Sequence, residues 1–396
     1  MTDQPYPVPV LERPPDTSVP LPGSKSETIR ALAAAALASG RSHLYAPLRA
    51  DDTEAMVGAL ETLGVEVGSG GDPWTVDGAG GRLKGGASID VNESGLSARI
   101  LIAMAGSAAG TTRIEGRGRL PERPMGGITE ALRSQGVEVS GDVLPLEVTG
   151  RGHLWGGQLT VDCSESSQFA TAAMLVAPVM EQPCVLDIRG LTGSEGYLDG
   201  TVSVMRRFGA TVEKTVTGYE IANDGYRAAD VVIEPDASAA VYPMAMAAIT
   251  GGRVVIENLG LASWQPDVAV ASVLQEMGCD VALEDARIIV DARNMELGGV
   301  QADMSDAPDG ALAVAVVALF ASSASELRGL GSLRHKESDR LVAICNEMRR
   351  IGGDVDVVGE NLLVRPSPLH GGVIDPHGDH RIAMSMACAG TRVPGV

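Results

Sequence analysis

Gly23-Ser24-Lys25-Ser26-Glu27-Thr28-Ile29-Arg30 runs straight into Ala31-Leu32-Ala33-Ala34-Ala35-Ala36-Leu37, a polar head on an Ala-rich body. The pattern returns with heads at Glu93-Ser94-Gly95, Ser166-Ser167-Gln168, Asp236-Ala237-Ser238, Asp306-Ala307-Pro308-Asp309 and Gly378-Asp379-His380-Arg381. With Lys25, Gly95, Ser167, Ser238, Asp309 and Asp379 as markers, the steps are 70, 72, 71, 71 and 70 residues. A fixed period of this kind is one supersecondary unit repeated and packed against its own copies. Each head reads as a helix N-terminus, whose unpaired N–H groups and partial positive charge suit an anion. Six such tips, if convergent, would build a site for a multiply charged substrate.

A second mark keeps the same time. Five amphipathic stretches end in a glycine followed by a β-like run: Leu63-Gly64-Val65, Gln135-Gly136-Val137, Phe208-Gly209-Ala210, Met277-Gly278-Cys279 and Ile351-Gly352-Gly353. The glycines step by 72, 73, 69 and 74 residues. Glycine here suits the left-handed position after a helix, where a Cβ would clash. The alternation beyond it reads as a half-buried strand. A sixth such glycine is expected about one repeat beyond Gly352, past the last residue, Val396, so the sixth repeat is expected to be incomplete.

At 396 residues the chain is long enough for two large domains, each with a packed core. Its residues are 44% hydrophobic but only 3% aromatic, so the cores are expected to rest on Ala, Val, Leu, Ile and Met. A formal charge of −20 argues against a nucleic-acid surface or an anionic membrane as partner. Local cations therefore carry more information. Of the four lysines, Lys25, Lys84, Lys214 and Lys336, two fall inside the motifs below. The cysteines, Cys163, Cys184, Cys279, Cys345 and Cys388, are scattered and lack CxxC spacing, which suits a reducing compartment and not structural zinc. The N-terminus carries Pro5, Pro7, Pro9, Pro14 and Pro15 and no apolar signal core. The run Ala311 to Ala321 is too short to span a bilayer. The expectation is a soluble cytoplasmic protein.

Breaks fall at Pro20-Leu21-Pro22 and around Ile233-Glu234-Pro235-Asp236. They divide the repeats into a continuous domain over 21–233 and a second domain joining 1–20 with 234–396. Two neighbouring crossings would form a hinge, and ligands commonly bind between domains.

The candidate chemistry lies in the heads and one basic loop. Gly23 and the serines of the first head let amides and hydroxyls approach an oxyanion, with Lys25 and Arg30 on one side; the GxxxxGK[ST] spacing of a Walker loop is absent. Read alone, the segment has the alternative of a merely capped helix start. Arg119-Leu120-Pro121-Glu122-Arg123-Pro124 is an Arg-rich turn held by prolines, suited to carboxylate or phosphate, or else a solvated loop. Ser166-Ser167-Gln168 supplies neutral hydrogen-bonding groups, or simply caps a helix. Asp309 is a cap or a general base tuned by cations. In Arg334-His335-Lys336-Glu337-Ser338-Asp339-Arg340, a helix would put Lys336 and Arg340 on one face. Asp375-Pro376-His377-Gly378-Asp379-His380-Arg381 invites a metal through its two histidines, but no other His, Cys or acidic cluster completes a coordination sphere, and it reads better as an arginine oriented by Asp379.

Pro22-Gly23-Ser24-Lys25-Ser26, Glu122-Arg123-Pro124, Ser166-Ser167-Gln168-Phe169, Pro308-Asp309, Lys336-Glu337-Ser338-Asp339-Arg340 and Asp379-His380-Arg381, in this order, resemble the 5-enolpyruvylshikimate-3-phosphate synthase family. The resemblance runs from about residue 18 to the end. It implies an α/β, two-domain enolpyruvyl transferase-like fold of six βαβαββ repeats, three per domain. It also implies domain closure over shikimate 3-phosphate and phosphoenolpyruvate, with no metal or organic cofactor. By that resemblance Lys25, Ser26, Arg30, Ser166, Ser167, Gln168, Ser194, Tyr197, Asp309 and Lys336 face shikimate 3-phosphate. Lys25, Gly95, Arg123, Gln168, Arg340 and Arg381 face phosphoenolpyruvate. Lys25, Asp309 and Glu337 are the catalytic set. The expected partners are small anionic substrates, with no nucleic acid and no membrane, and the expected state is a monomer.

Four positions depart from the family pattern: Glu93, Ser332 and Gly378 each replace a common Asn, and Ile100 takes a position often held by Pro or Leu. Glu93 would repel phosphoenolpyruvate unless it turns away or pairs with Arg99 or Arg123. The family also continues beyond this end with a segment carrying a further phosphoenolpyruvate-binding lysine, so a truncated chain is expected. One rival is an enolpyruvyl transferase acting on UDP-N-acetylglucosamine, whose reactive-loop Cys has no counterpart between Gly110 and Pro124. Another is a non-catalytic paralogue that binds a sugar phosphate.

Overall fold

The computed structural model describes residues 5–191, 193 and 195–396. Its α-helices are α1 (Lys25–Leu37), α2 (Asp51–Thr62), α3 (Gly95–Ser107), α4 (Gly126–Ser134), α5 (Gln168–Val176), α6 (Glu195–Arg207), α7 (Ala237–Thr250), α8 (Val270–Glu276), α9 (Ala311–Ala318), α10 (Arg340–Arg350) and α11 (His380–Gly390).

The second repeat shows the plan. Strand Ser88–Asp90, α3, strand Ala109–Glu115 and α4 lead to a hairpin of Glu138–Val139 and Leu146–Arg151. The first two strands pair in parallel, with Ile89 opposite Ile114. The hairpin then joins antiparallel, with Thr112 opposite Val148. The same βαβαββ order recurs around α5 and α6 and around α9 and α10. α11 stands for the sixth repeat, and no strand follows it among the described residues.

The first and fourth repeats exchange their opening strands. Asp16–Val19 precedes α1 in the chain but pairs in parallel with Arg253–Glu257, the strand after α7, with Thr17 opposite Val254. Asp230–Val232 precedes α7 but pairs with Ala38–Tyr45, the strand after α1, with Val231 opposite Leu44. Each opening strand completes a sheet other than that of the helix it leads into.

The chain forms two compact units, Pro22–Glu234 and Met1–Leu21 with Pro235–Val396. In the first, α1, α3 and α5 contact one another around one apolar core; in the second, α7, α9 and α11 do the same around another. These are the Ala-rich bodies. Every residue of α3 is buried, and a helix buried on all sides needs an all-round apolar sequence with small side chains so that axes approach. The second helices, α4, α6 and α10, alternate buried and exposed faces and cover the outside. Gly64, Gly136, Gly209, Gly278 and Gly352 all have φ between 79° and 106°, and the strand that follows each begins within a few residues. All five cysteines are buried and unpaired; burial pushes the thiols of Cys163 and Cys388 up to about 12, which leaves them inert at neutral pH. Among the described residues no helix is long and apolar enough to cross a membrane.

Candidate active site

In the Pro22–Glu234 unit the heads of α1, α3 and α5 carry the candidate residues. Lys25 is the first residue of α1, and its ammonium lies 2.9 Å from the carboxylate of Asp52 at the start of α2. Ser26 beside it is half-buried. Arg30 points inward and is only 1% exposed. Its Nε donates to Thr201 Oγ1 at 2.9 Å, and its terminal nitrogens reach the carbonyls of Ser26 at 2.9 Å and Tyr197 at 3.3 Å. Burial lowers its pKa to about 10, so it remains a cation at neutral pH. Arg30 thereby ties α1 to α6, and Tyr197 enters the cluster through its backbone. Ser166 and Ser167 precede α5, and the Gln168 amide N–H donates to Ser166 Oγ at 3.3 Å. Ser194 lies outside the described residues.

Gly95 opens α3 beneath two arginines. A Cβ built on it would lie 2.8 Å from guanidinium nitrogens of both Arg123 and Arg99, so only glycine allows this approach. Of the two arginines in the Arg-rich turn, Arg123 is buried, whereas Arg119 is exposed and pairs with Glu122 at 3.5 Å. Glu93 is exposed, with its carboxyl against Gly118. Arg99 pairs with neutral Gln168 instead.

In the other unit, Asp309 gathers three cations. Its carboxylate lies 2.9 Å from Arg340, 3.5 Å from Lys336 and 3.4 Å from Arg381. It is not the cap of α9, since Gly310 holds that position. Arg340 is 1% exposed and also meets Glu337 at 2.6 Å and Asp379 at 2.7 Å. Burial disfavours its charge, but Asp309 and Glu337 outweigh that and raise its pKa above the arginine norm.

Two expectations are corrected here. Lys336 and Arg340 do not share a helix face. Asp339 caps α10 by accepting from Val342 N, so the helix begins at Arg340 and Lys336 sits in extended backbone outside it. Both side chains still reach Asp309. Asp379 caps α11 through Arg381 N, but its carboxylate holds the Arg340 side chain; that of Arg381 turns to Asp309. His377 makes a 3.0 Å contact with Glu347, and His380 is exposed.

Sequence reasoning missed Asp52 and Asp267, and named Arg99 only as a possible partner of Glu93. Arg99 lies one turn below Gly95, the only local signal it offered. Asp267 is 2% exposed and accepts a hydrogen bond from Ser238 at the head of α7. Gln265 clamps the same head, accepting from Ala237 N at 3.0 Å and donating to Pro235 O at 2.7 Å. Burial raises the Asp267 pKa above 3.8, against the pull of Arg381. The folded state therefore binds this proton more tightly than the unfolded chain, and stability falls as pH rises from about 3.8 through the folded value. Asp267→Asn should flatten that part of the profile, with a Tm gain over the unmodified protein that grows with pH and then levels. Parallel Tm–pH curves for the two proteins would contradict it.

A family profile described as EPSP synthase (3-phosphoshikimate 1-carboxyvinyltransferase) matches residues 13–396. A protein of Methanoculleus marisnigri named 3-phosphoshikimate 1-carboxyvinyltransferase is 38% identical over 393 residues, covering 97% of this chain and 92% of that protein. One of the same name from Nostoc punctiforme is 35% identical over 398 residues, covering 98% and 93%. Among solved structures, EPSP synthase from Acinetobacter baumannii superposes with a TM-score of 0.82 at 26% identity, covering 98% of this chain and 92% of that one.

Proposed function

The chain belongs to the EPSP synthase (3-phosphoshikimate 1-carboxyvinyltransferase) family, and from that premise we infer the work of its residues. It transfers the enolpyruvyl group of phosphoenolpyruvate to the 5-hydroxyl of shikimate 3-phosphate and releases phosphate. The family match over residues 13–396 carries this reading.

The reaction needs a proton delivered to the methylene carbon of phosphoenolpyruvate while the hydroxyl oxygen bonds to the neighbouring carbon. The tetrahedral adduct then loses phosphate by C–O cleavage and a methyl proton, which restores the double bond. Acid and base must both reach this centre. Asp309, supported by three cations, takes the hydroxyl proton. Glu337, together with Lys25, supplies the proton to carbon and later receives it back. Ser26, Arg30, Ser166, Ser167, Gln168, Ser194, Tyr197 and Lys336 bind shikimate 3-phosphate. Gly95, Arg123, Arg340 and Arg381 bind phosphoenolpyruvate, with Lys25 and Gln168 meeting both substrates.

Charge arithmetic supports the assignment. Around Asp309, three carboxylates (Asp309, Glu337, Asp379) face three cations (Lys336, Arg340, Arg381). A substrate anion reaching Arg340 replaces one of these protein carboxylates with its own oxyanion, so the guanidinium stays paired throughout. Preorganised charge of this kind is the larger part of what such a site supplies.

The test is phosphate release with purified protein, shikimate 3-phosphate and phosphoenolpyruvate, with the product confirmed by mass. Phosphate should form only when both substrates are present. Turnover with UDP-N-acetylglucosamine in place of shikimate 3-phosphate would sink the reading.

A further inference from the structure

We infer that Arg99 is a positioning residue for the phosphoenolpyruvate site, which locks Gln168 as a hydrogen-bond donor and holds the turn carrying Arg123; this rests on the transferase reading above. Arg99 is 2% exposed, and its guanidinium lies 5.1 Å from the centre of the Phe169 ring. It donates to three oxygens on three segments: Gln168 Oε1 at 2.7 Å, the Pro124 carbonyl at 3.0 Å and the Gly95 carbonyl at 3.2 Å.

The chemistry of the pair removes an ambiguity. A guanidinium carries only donors, so the amide atom facing it must be the oxygen. The other end of the Gln168 amide, Nε2, is then a donor aimed away from Arg99. A side chain that could have offered either polarity is held in one, and that polarity matches an anionic oxygen. The Pro124 contact acts on the next residue back. Arg123 sits with guanidinium nitrogens 2.8 Å from the position a Gly95 Cβ would occupy, so a slipped turn would move it off the α3 head. Three groups assigned to one anion, Gly95, Arg123 and Gln168, thus hang on one buried cation. Ordering these donors before substrate arrives lowers the cost of binding.

Gln168→Glu separates positioning from folding. The new carboxylate keeps the contact with Arg99 but turns an acceptor, and a negative charge, toward the substrate. The expected result is a Tm held or raised, with the KM for phosphoenolpyruvate up at least tenfold and a smaller change in kcat. Arg99→Lys can satisfy only one or two of the three oxygens, and should raise the same KM about tenfold. Because Arg99 acts partly through Gln168, the double variant should lose less than the product of the single losses. A wild-type KM in Gln168→Glu, or fully multiplicative losses, would overturn the inference. If Arg99→Lys fails to fold, Arg99→Gln, which keeps a donor for the Gln168 oxygen, takes its place in the same double-variant comparison. An unmodified protein that releases no phosphate overturns the transferase reading and this inference together, whereas an active protein indifferent to Gln168→Glu overturns only the latter.

Discussion

Asp309→Asn should lower kcat by about 10²–10⁴-fold, the usual worth of a positioned general base, while Tm falls less than in Arg340→Ala, because Arg340 keeps Asp379 and Glu337. The substitution keeps the shape of the side chain and leaves an oxygen to accept from Arg340, now at 2.9 Å. It removes the one charge that draws Lys336, Arg340 and Arg381 together and the one atom able to take the hydroxyl proton. The cluster shifts from three negatives against three positives to two against three. Anion binding should therefore hold or tighten, and the KM for phosphoenolpyruvate should not rise. Phosphate-release kinetics with both substrates varied give the answer. A kcat within tenfold of the unmodified protein would remove Asp309 from the base role.

Arg340→Ala should destabilise the unit that contains it by about 3–5 kcal/mol, the cost of stripping the cation from buried carboxylates, and abolish turnover. Asp379 has no side-chain exposure and Asp309 only 12%, so neither can turn to water for a replacement partner. The loss should be nearly the same in low and high salt, because buried pairs are poorly screened. The surface pair of Arg41 and Asp77, with 59% and 35% side-chain exposure, is the control: Arg41→Ala should barely move Tm. Arg340→Lys should recover part of the stability and little of the activity, since one ammonium cannot bridge three carboxylates. Thermal melts at two salt concentrations test this. Equal Tm losses in Arg340→Ala and Arg41→Ala would refute it.

Much of this was legible along the chain. The six heads mark the six Ala-rich helices, and the five glycines that close the second helices all adopt positive φ. Both are local properties: a cap, a backbone sign and an apolar periodicity each depend on a handful of neighbouring residues. The start of α10 was misplaced because two local rules compete there. Helix-like spacing favoured Lys336, but Asp339 offers the better cap, and the cap won. The exchange of opening strands between the first and fourth repeats has no local signature, since either strand could pair with either sheet on sequence alone.

The repeat, its period, the ends of its helices and the families of charged groups at their tips were determined by the sequence itself, because each is settled within one turn of helix or one strand. Which charges meet was decided by tertiary packing alone. Lys25 finds Asp52, Arg99 finds Gln168, and Arg340 gathers Asp309 and Asp379, only because the Ala-rich bodies pack closely enough to bring separate helix heads within hydrogen-bonding reach. That proximity depends on how whole helices lie against each other, and no run of neighbouring residues encodes it.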